Sequence, residues 1–144
     1  MRKIQSFVKR SGRLTASQEK GLTELWDDYA IEAQGVLDFT KIFGNNNDVV
    51  LEIGFGNGDT LVAMAQENLE LNYVGIEVYE AGIGRLINSA HIKQLNNLKV
   101  MRGDAVEFLS DNIAIILWLD FSCFFLTLGI RKNTINAELC NKIF

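Results

Sequence analysis

A chain of 144 residues, 48% apolar and 22% charged, can bury one domain-sized core and has the balance of an ordinary soluble globular protein. It contains no run of about 18 apolar residues and so offers no candidate membrane-spanning helix; its charged N-terminus has no apolar stretch behind it, which argues against a secretory signal. A net charge of −4 excludes a uniformly basic surface, yet Arg2, Lys3, Lys9, Arg10 and Arg13 all precede Glu19, the first acidic residue.

Residues 1–14 therefore read as a basic arm. The plain expectation for such a segment is a solvated tail; the alternative is an arm that contacts phosphates, docked through Phe7 and Val8. Thr15 or Ser17 can cap a helix running from about 18 to 29, in which Leu22, Leu25, Trp26 and Tyr29 form one apolar stripe. Residues 38–43 suggest a short helical turn with Phe39 and Phe43 inward, and Gly44-Asn45-Asn46-Asn47-Asp48 is a loop. Residues 49–53 are a short β-branched strand, followed at once by Gly54-Phe55-Gly56-Asn57-Gly58. A helix follows from Asp59, with Leu61, Met64 and Ala65 on one face. A second strand is expected over 73–78 and a second helix over 81–95, its inner side formed by Ile83, Leu86, Ile87 and Ala90. A third strand covers 98–101, and Asp104 opens a third helix. Strands alternating with helices imply an α/β fold with a parallel sheet and flanking helices.

The glycine loop sits between a strand and a helix, the context in which such a loop holds a ligand against backbone amides and a helix N-terminus. Two ligand classes use this arrangement. A dinucleotide puts pyrophosphate there, whereas S-adenosyl-L-methionine puts its amino-acid end there and carries no phosphate. Glu52, two residues before Gly54, favours the second: a carboxylate can face a positive charge but repels pyrophosphate. The alternative is a glutamate that bonds loop amides. Glu77, ending the second strand, is placed to accept ribose hydroxyls in either ligand class. Asp104, after the third strand, can accept an adenine amino group or act as a helix N-cap, and both roles can hold together. Phe55 is expected to pack beside the loop. His91, mid-helix, reads as structural. Cys123 and Cys140 have neither metal-ligand spacing nor a partner base, so no metal site or thiol nucleophile is expected, and a cytoplasmic location is the default.

Four segments in order, Arg10-Ser11-Gly12-Arg13-Leu14-Thr15, Leu51-Glu52-Ile53-Gly54-Phe55-Gly56-Asn57-Gly58, Gly75-Ile76-Glu77-Val78 and Asp104-Ala105-Val106-Glu107, resemble the bacterial tRNA (guanine-N7)-methyltransferase family. The resemblance covers about residues 3–114. It implies a Rossmann-like class I methyltransferase fold of which only the N-terminal half is present. It implies methyl transfer from S-adenosyl-L-methionine to guanine N7 in the tRNA variable loop. Glu52, Gly54, Gly56, Gly58, Glu77 and Asp104 would then bind the cofactor, and Lys9, Arg10 and Arg13 would lie near tRNA. A full-length member is expected to be a monomer.

The resemblance stops after Ala114. The family continues with a strand ending in Phe-Phe-Pro-Asp-Pro-Trp and a basic run, so the family's motif aspartate is missing and no catalytic residue is identifiable. Residues 115–144 form an atypical tail in which 115–119 is the candidate fourth strand, bounding a half-domain at 15–114. Asp120 to Gly129 can be encoded so that a shifted frame gives Phe-Gln-Leu-Phe-Phe-Pro-Asp-Pro-Trp, and Ile130 to Asn136 so that it continues His-Lys-Lys-Lys-His-His-Lys-Arg. Loss of one nucleotide near the Ala114 codon is the simplest account. It also bears on proline, which is absent where about seven are expected. On this reading the chain is an inactive or weakly active truncated form. The competing expectations are a non-catalytic module that binds the cofactor or a partner chain, and another class I methyltransferase.

Overall fold

The computed structural model describes residues 12–32 and 37–104 and the backbone of a strand at Phe125–Thr127. The arm through Lys9 and Arg10, the expected helix beyond Asp104 and the candidate strand at 115–119 lie outside the described residues.

The elements are α1 (Ala16–Leu22), α2 (Trp26–Tyr29), α3 (Phe39–Phe43), β1 (Val49–Ile53), α4 (Asp59–Glu67), β2 (Asn72–Glu77), α5 (Glu80–Ile92), β3 (Leu98–Arg102) and β4 (Phe125–Thr127). The four strands form one sheet in the order β3-β2-β1-β4, and every pairing is parallel. The chain adds β2 and β3 on one side of β1 and β4 on the other. That reversal creates a switch point at β1, and ligands of open α/β sheets bind outside the carboxyl ends of the strands at such a point.

Both faces of the sheet are covered, as parallel sheets require. Val50 and Tyr73 face a core with Leu61, Val62 and Ala65 of α4 and Ile83, Leu86, Ile87 and Ala90 of α5. Val49, Leu51, Ile53, Val74 and Ile76 face the opposite core, against which Phe39, Ile42 and Phe43 of α3 pack. The four inner positions expected on α5 are all fully buried. On α4, Leu61 and Ala65 are buried as expected, Met64 only partly so, and Val62 joins them.

Two expected helices differ in extent. The helix over 18–29 is two helices. Thr15 does cap the first, in a reciprocal box with Gln18. At its other end the Thr23 hydroxyl donates to the Glu19 carbonyl at 2.9 Å, and the Leu25 amide reaches back to Lys20 O. The hydroxyl bond adds to the regular Thr23 amide bond on the same carbonyl, and the Leu25 bond departs from the helical ladder where the first helix ends. The turn still delivers Leu25 and Tyr29 to the core. The second expected helix ends at Ile92 rather than 95. Gln94 adopts φ 55°, and the Leu95 amide bonds Ala90 O, which turns Leu95 inward.

The N-terminal helices are joined to the sheet domain by close contacts. A Cβ built on Gly21 of α1 would lie 2.2 Å from Gly84 O of α5, and one on Gly84 would lie 2.1 Å from Gln18 O. The two helices thus cross with backbones touching, which only glycine permits. Beyond them, Ile31 donates to Val100 O at 2.8 Å and Ala30 bridges Val100. This covers the β3 edge, which would otherwise invite association with another chain.

Asn97 ties α4 to the sheet. Its Nδ2 donates to the carbonyls of Ala65 at 2.9 Å, Leu71 at 3.0 Å and Asn68 at 3.2 Å. Two hydrogens thus serve three acceptors, in a buried site where unpaired carbonyls are costly. Asn97→Ala is expected to cost about 2–3 kcal/mol of stability, read as a lowered urea midpoint with an unchanged slope.

Candidate functional site

The site is built where β1 and β2 end. Gly54, Gly56 and Gly58 all adopt left-handed backbone, with φ of 71°, 63° and 78°. Three such turns in five residues bring the chain from β1 into α4. At Gly58, the N-cap of α4, the requirement is twofold: besides its φ, a Cβ there would lie 2.5 Å from Leu86 Cδ1. Phe55 is buried beneath the loop, its ring filling the space in front of Gly75, as its expected packing role requires.

Glu52 lies in the sheet's interior, fully buried. Alternation along β1 puts it on the Val50 face, toward α4 and α5. Neither carboxylate oxygen has a hydrogen-bond partner among the described residues, so the alternative of a glutamate bonding loop amides is not what the structure contains. Burial pushes its pKa up from 4.5 to about 7, because a charge without partners is disfavoured away from water. A buried carboxylate in that condition is complementary to a cation.

Glu77 differs. Its Oε2 accepts the Gly56 amide at 2.7 Å, and its Oε1 accepts the amides of Val78 at 2.9 Å and Tyr79 at 3.1 Å. The side chain expected to serve a ligand sugar also binds the glycine loop across 21 positions of sequence. Its backbone carbonyl accepts the Gly103 amide at 3.1 Å, which brings the end of β3 to the same edge. Asp104, half-buried, follows directly. Glu52, the three glycines, Glu77 and Asp104 are therefore gathered along the carboxyl edge of the sheet.

The remaining candidates fall elsewhere. Arg13 is exposed, two residues ahead of the Thr15 cap. His91 is exposed in the last turn of α5, at the end of the helix that leads to the start of β3, and so away from the site.

Gly82 was missed. A Cβ on it would lie 1.8 Å from Gly56 O, so the first turn of α5 backs directly onto the glycine loop. The signal was present in Gly82 and Gly84, since two glycines in one helix cost about 1 kcal/mol each unless close packing requires them.

Residues 46–116 match the family described as "Putative methyltransferase". The chain is 48% identical over 114 residues to the tRNA (guanine-N(7)-)-methyltransferase of Colwellia psychrerythraea, covering 78% of this chain and 47% of that one. It is 50% identical over 114 residues to the protein of the same description from Yersinia enterocolitica, covering 78% and 48%. The chain thus spans about half the length of the curated relatives it matches. Among solved structures it is similar to a SAM-dependent methyltransferase from Thiobacillus denitrificans in complex with S-adenosyl-L-homocysteine, at a TM-score of 0.42 and 15% identity, covering 89% of this chain and 56% of that one. Over 114 residues the chain is thus similar, at about half identity, to curated tRNA (guanine-N(7)-)-methyltransferases.

Proposed function

We propose that this chain is the cofactor-binding half of a tRNA (guanine-N7)-methyltransferase, able to bind S-adenosyl-L-methionine but with little or no activity of its own. The observation that carries the cofactor assignment is Glu52, a fully buried carboxylate with no hydrogen-bond partner among the described residues, at the strand end beside a left-handed glycine loop. A cationic ligand relieves that burial; a pyrophosphate would worsen it. When bound, S-adenosyl-L-methionine supplies a methyl group on positively charged sulfur. The residues that would hold it are Glu52 at its positive charge, the amides of the loop from Gly54 to Gly58, Glu77 at the sugar and Asp104 at the base.

Guanine N7 already carries a lone pair, so its methylation depends on alignment more than on a general acid or base. Alignment of the guanine is the part assigned to the half of the family's length that this chain does not match. Arg13, with Lys9 and Arg10, is proposed to approach the phosphates of tRNA. The tail from 115 is proposed to be an out-of-frame sequence replacing the family's Pro-Asp-Pro-Trp strand and basic run.

The test is to insert one nucleotide at the Ala114 codon, express both forms and assay each on unmodified tRNA. The reading expects guanine-N7 methylation by the restored protein and at least a hundredfold less by the 144-residue chain, on the order of the loss when alignment is removed. Full activity of the short chain would contradict it. Transfer by the restored protein to a small molecule or a protein, but not to tRNA, would replace it with another methyltransferase.

A further inference from the structure

The Gly56 peptide is gripped from both sides. Its N–H donates to Glu77 Oε2 at 2.7 Å, and its carbonyl lies against Gly82, where a Cβ would come within 1.8 Å. Gly56 itself has open space where a side chain would be. Glu77 is 9% exposed, and a charge-assisted bond at this depth is among the stronger hydrogen bonds available to a loop.

The two oxygens of Glu77 are unequally engaged. A carboxylate offers about four lone-pair directions. Oε1 spends both of its own on Val78 and Tyr79, and Oε2 spends one on Gly56. One direction remains, whereas two sugar hydroxyls require two. We infer that Glu77 is a positioning residue for the glycine loop, and that accepting both hydroxyls of a ligand's sugar requires it to release Gly56. The second clause rests on the cofactor reading above; the first does not. The loop and the sugar subsite are coupled through this one carboxylate.

The test is amide hydrogen exchange by NMR on the 144-residue chain and its Glu77→Gln variant, both without ligand. Glutamine keeps the shape but has one oxygen; keeping the two bonds from Val78 and Tyr79 on it turns the NH2 toward the Gly56 amide. The expected result is Gly56 exchange faster by about tenfold or more, with Val74 and Ile76 of the same strand unchanged. Glu77→Asp, which keeps the charge but is too short to span to Gly56, is expected to do the same and serves if the glutamine variant does not fold. Unchanged Gly56 exchange, or a uniform rise at all three amides, would overturn the inference in favour of a merely structural glutamate. Titration with S-adenosyl-L-homocysteine separates the two readings. If selective exchange at Gly56 is seen but neither wild type nor variant binds it, the positioning role stands and the cofactor assignment fails.

Discussion

Glu52→Gln is expected to weaken binding of S-adenosyl-L-methionine by tenfold to a hundredfold at pH 7.5 and, in the same protein, to remove a pH-dependent loss of stability. Burial raises the folded-state pKa of Glu52 from 4.5 to about 7. Between those values the folded chain holds a proton that the unfolded chain has released, so stability falls as pH rises through the window. Below 4.5 the penalty is absent; above about 7 it is complete, at about 3 kcal/mol. Glutamine cannot ionise. Between pH 5 and pH 8 the urea midpoint should therefore fall further for wild type than for the variant, by an amount corresponding to about 2.5 kcal/mol. A charged partner in the site is worth about 1.5–3 kcal/mol, which sets the binding loss. Unligated stability and ligand affinity thus move in opposite directions at one residue, as is common where a site is held in a costly state for function. Equal pH dependence of the two proteins would show that Glu52 is ionised at ordinary values and paired.

Gly82→Ala is expected to damage the glycine loop from a position outside it. Two effects oppose each other. Alanine is the better helix former by about 1 kcal/mol, and α5 is a 13-residue helix that would gain from it. Against this, the new Cβ would lie 1.8 Å from Gly56 O and 2.8 Å from Gly56 C. These are backbone atoms and cannot swing away as a side chain tip can. Helix α5 is fixed by Ile83, Leu86, Ile87 and Ala90, all fully buried, so the loop must give. Overpacking of this kind costs about 1–3 kcal/mol, and the displaced loop carries the Glu77 contact with it. The expected outcome is a net loss of stability by denaturant titration and at least tenfold weaker cofactor binding. Gly12→Ala, with nothing within 4 Å, is the matched control and is expected to change neither. A stabilised Gly82→Ala with normal binding would mean that the loop and helix are not in contact.

The elements that carry the site were the most legible part of the chain because their signals are local. The β-branched run at Val49 and Val50, the glycines that follow it and the spacing of Ile83, Leu86, Ile87 and Ala90 each specify structure within a few residues. Glu52 was singled out by its place two residues before Gly54, and the structure places it there fully buried. What escaped depends on distant partners. The contacts of Asn97 with three carbonyls of the α4–β2 region, of Gly82 with Gly56 and of Gly21 with Gly84 join segments separated along the chain by at least 26 positions in the first two cases and are written in no local pattern. Glu77 was read for the ligand alone because its bond to Gly56 arises only once β2 is laid beside β1. The break after Leu22, where the Leu25 amide reaches back to Lys20 O, was concealed by an apolar stripe running on to Tyr29. On the far side of β1, the described strand is Phe125–Thr127, within the segment read as an atypical tail, while the run at 115–119 expected to fill that place lies outside the described residues.

Whether a cation is drawn to the buried carboxylate of Glu52 is measured most directly by calorimetric titration of the 144-residue chain with S-adenosyl-L-methionine at pH 7.5 and pH 5.5, with NAD as competitor. The expected result is one site, affinity at least tenfold weaker at pH 5.5 as Glu52 takes up its proton, and no displacement by NAD. Binding of equal strength at both pH values, or displacement by NAD, would contradict it.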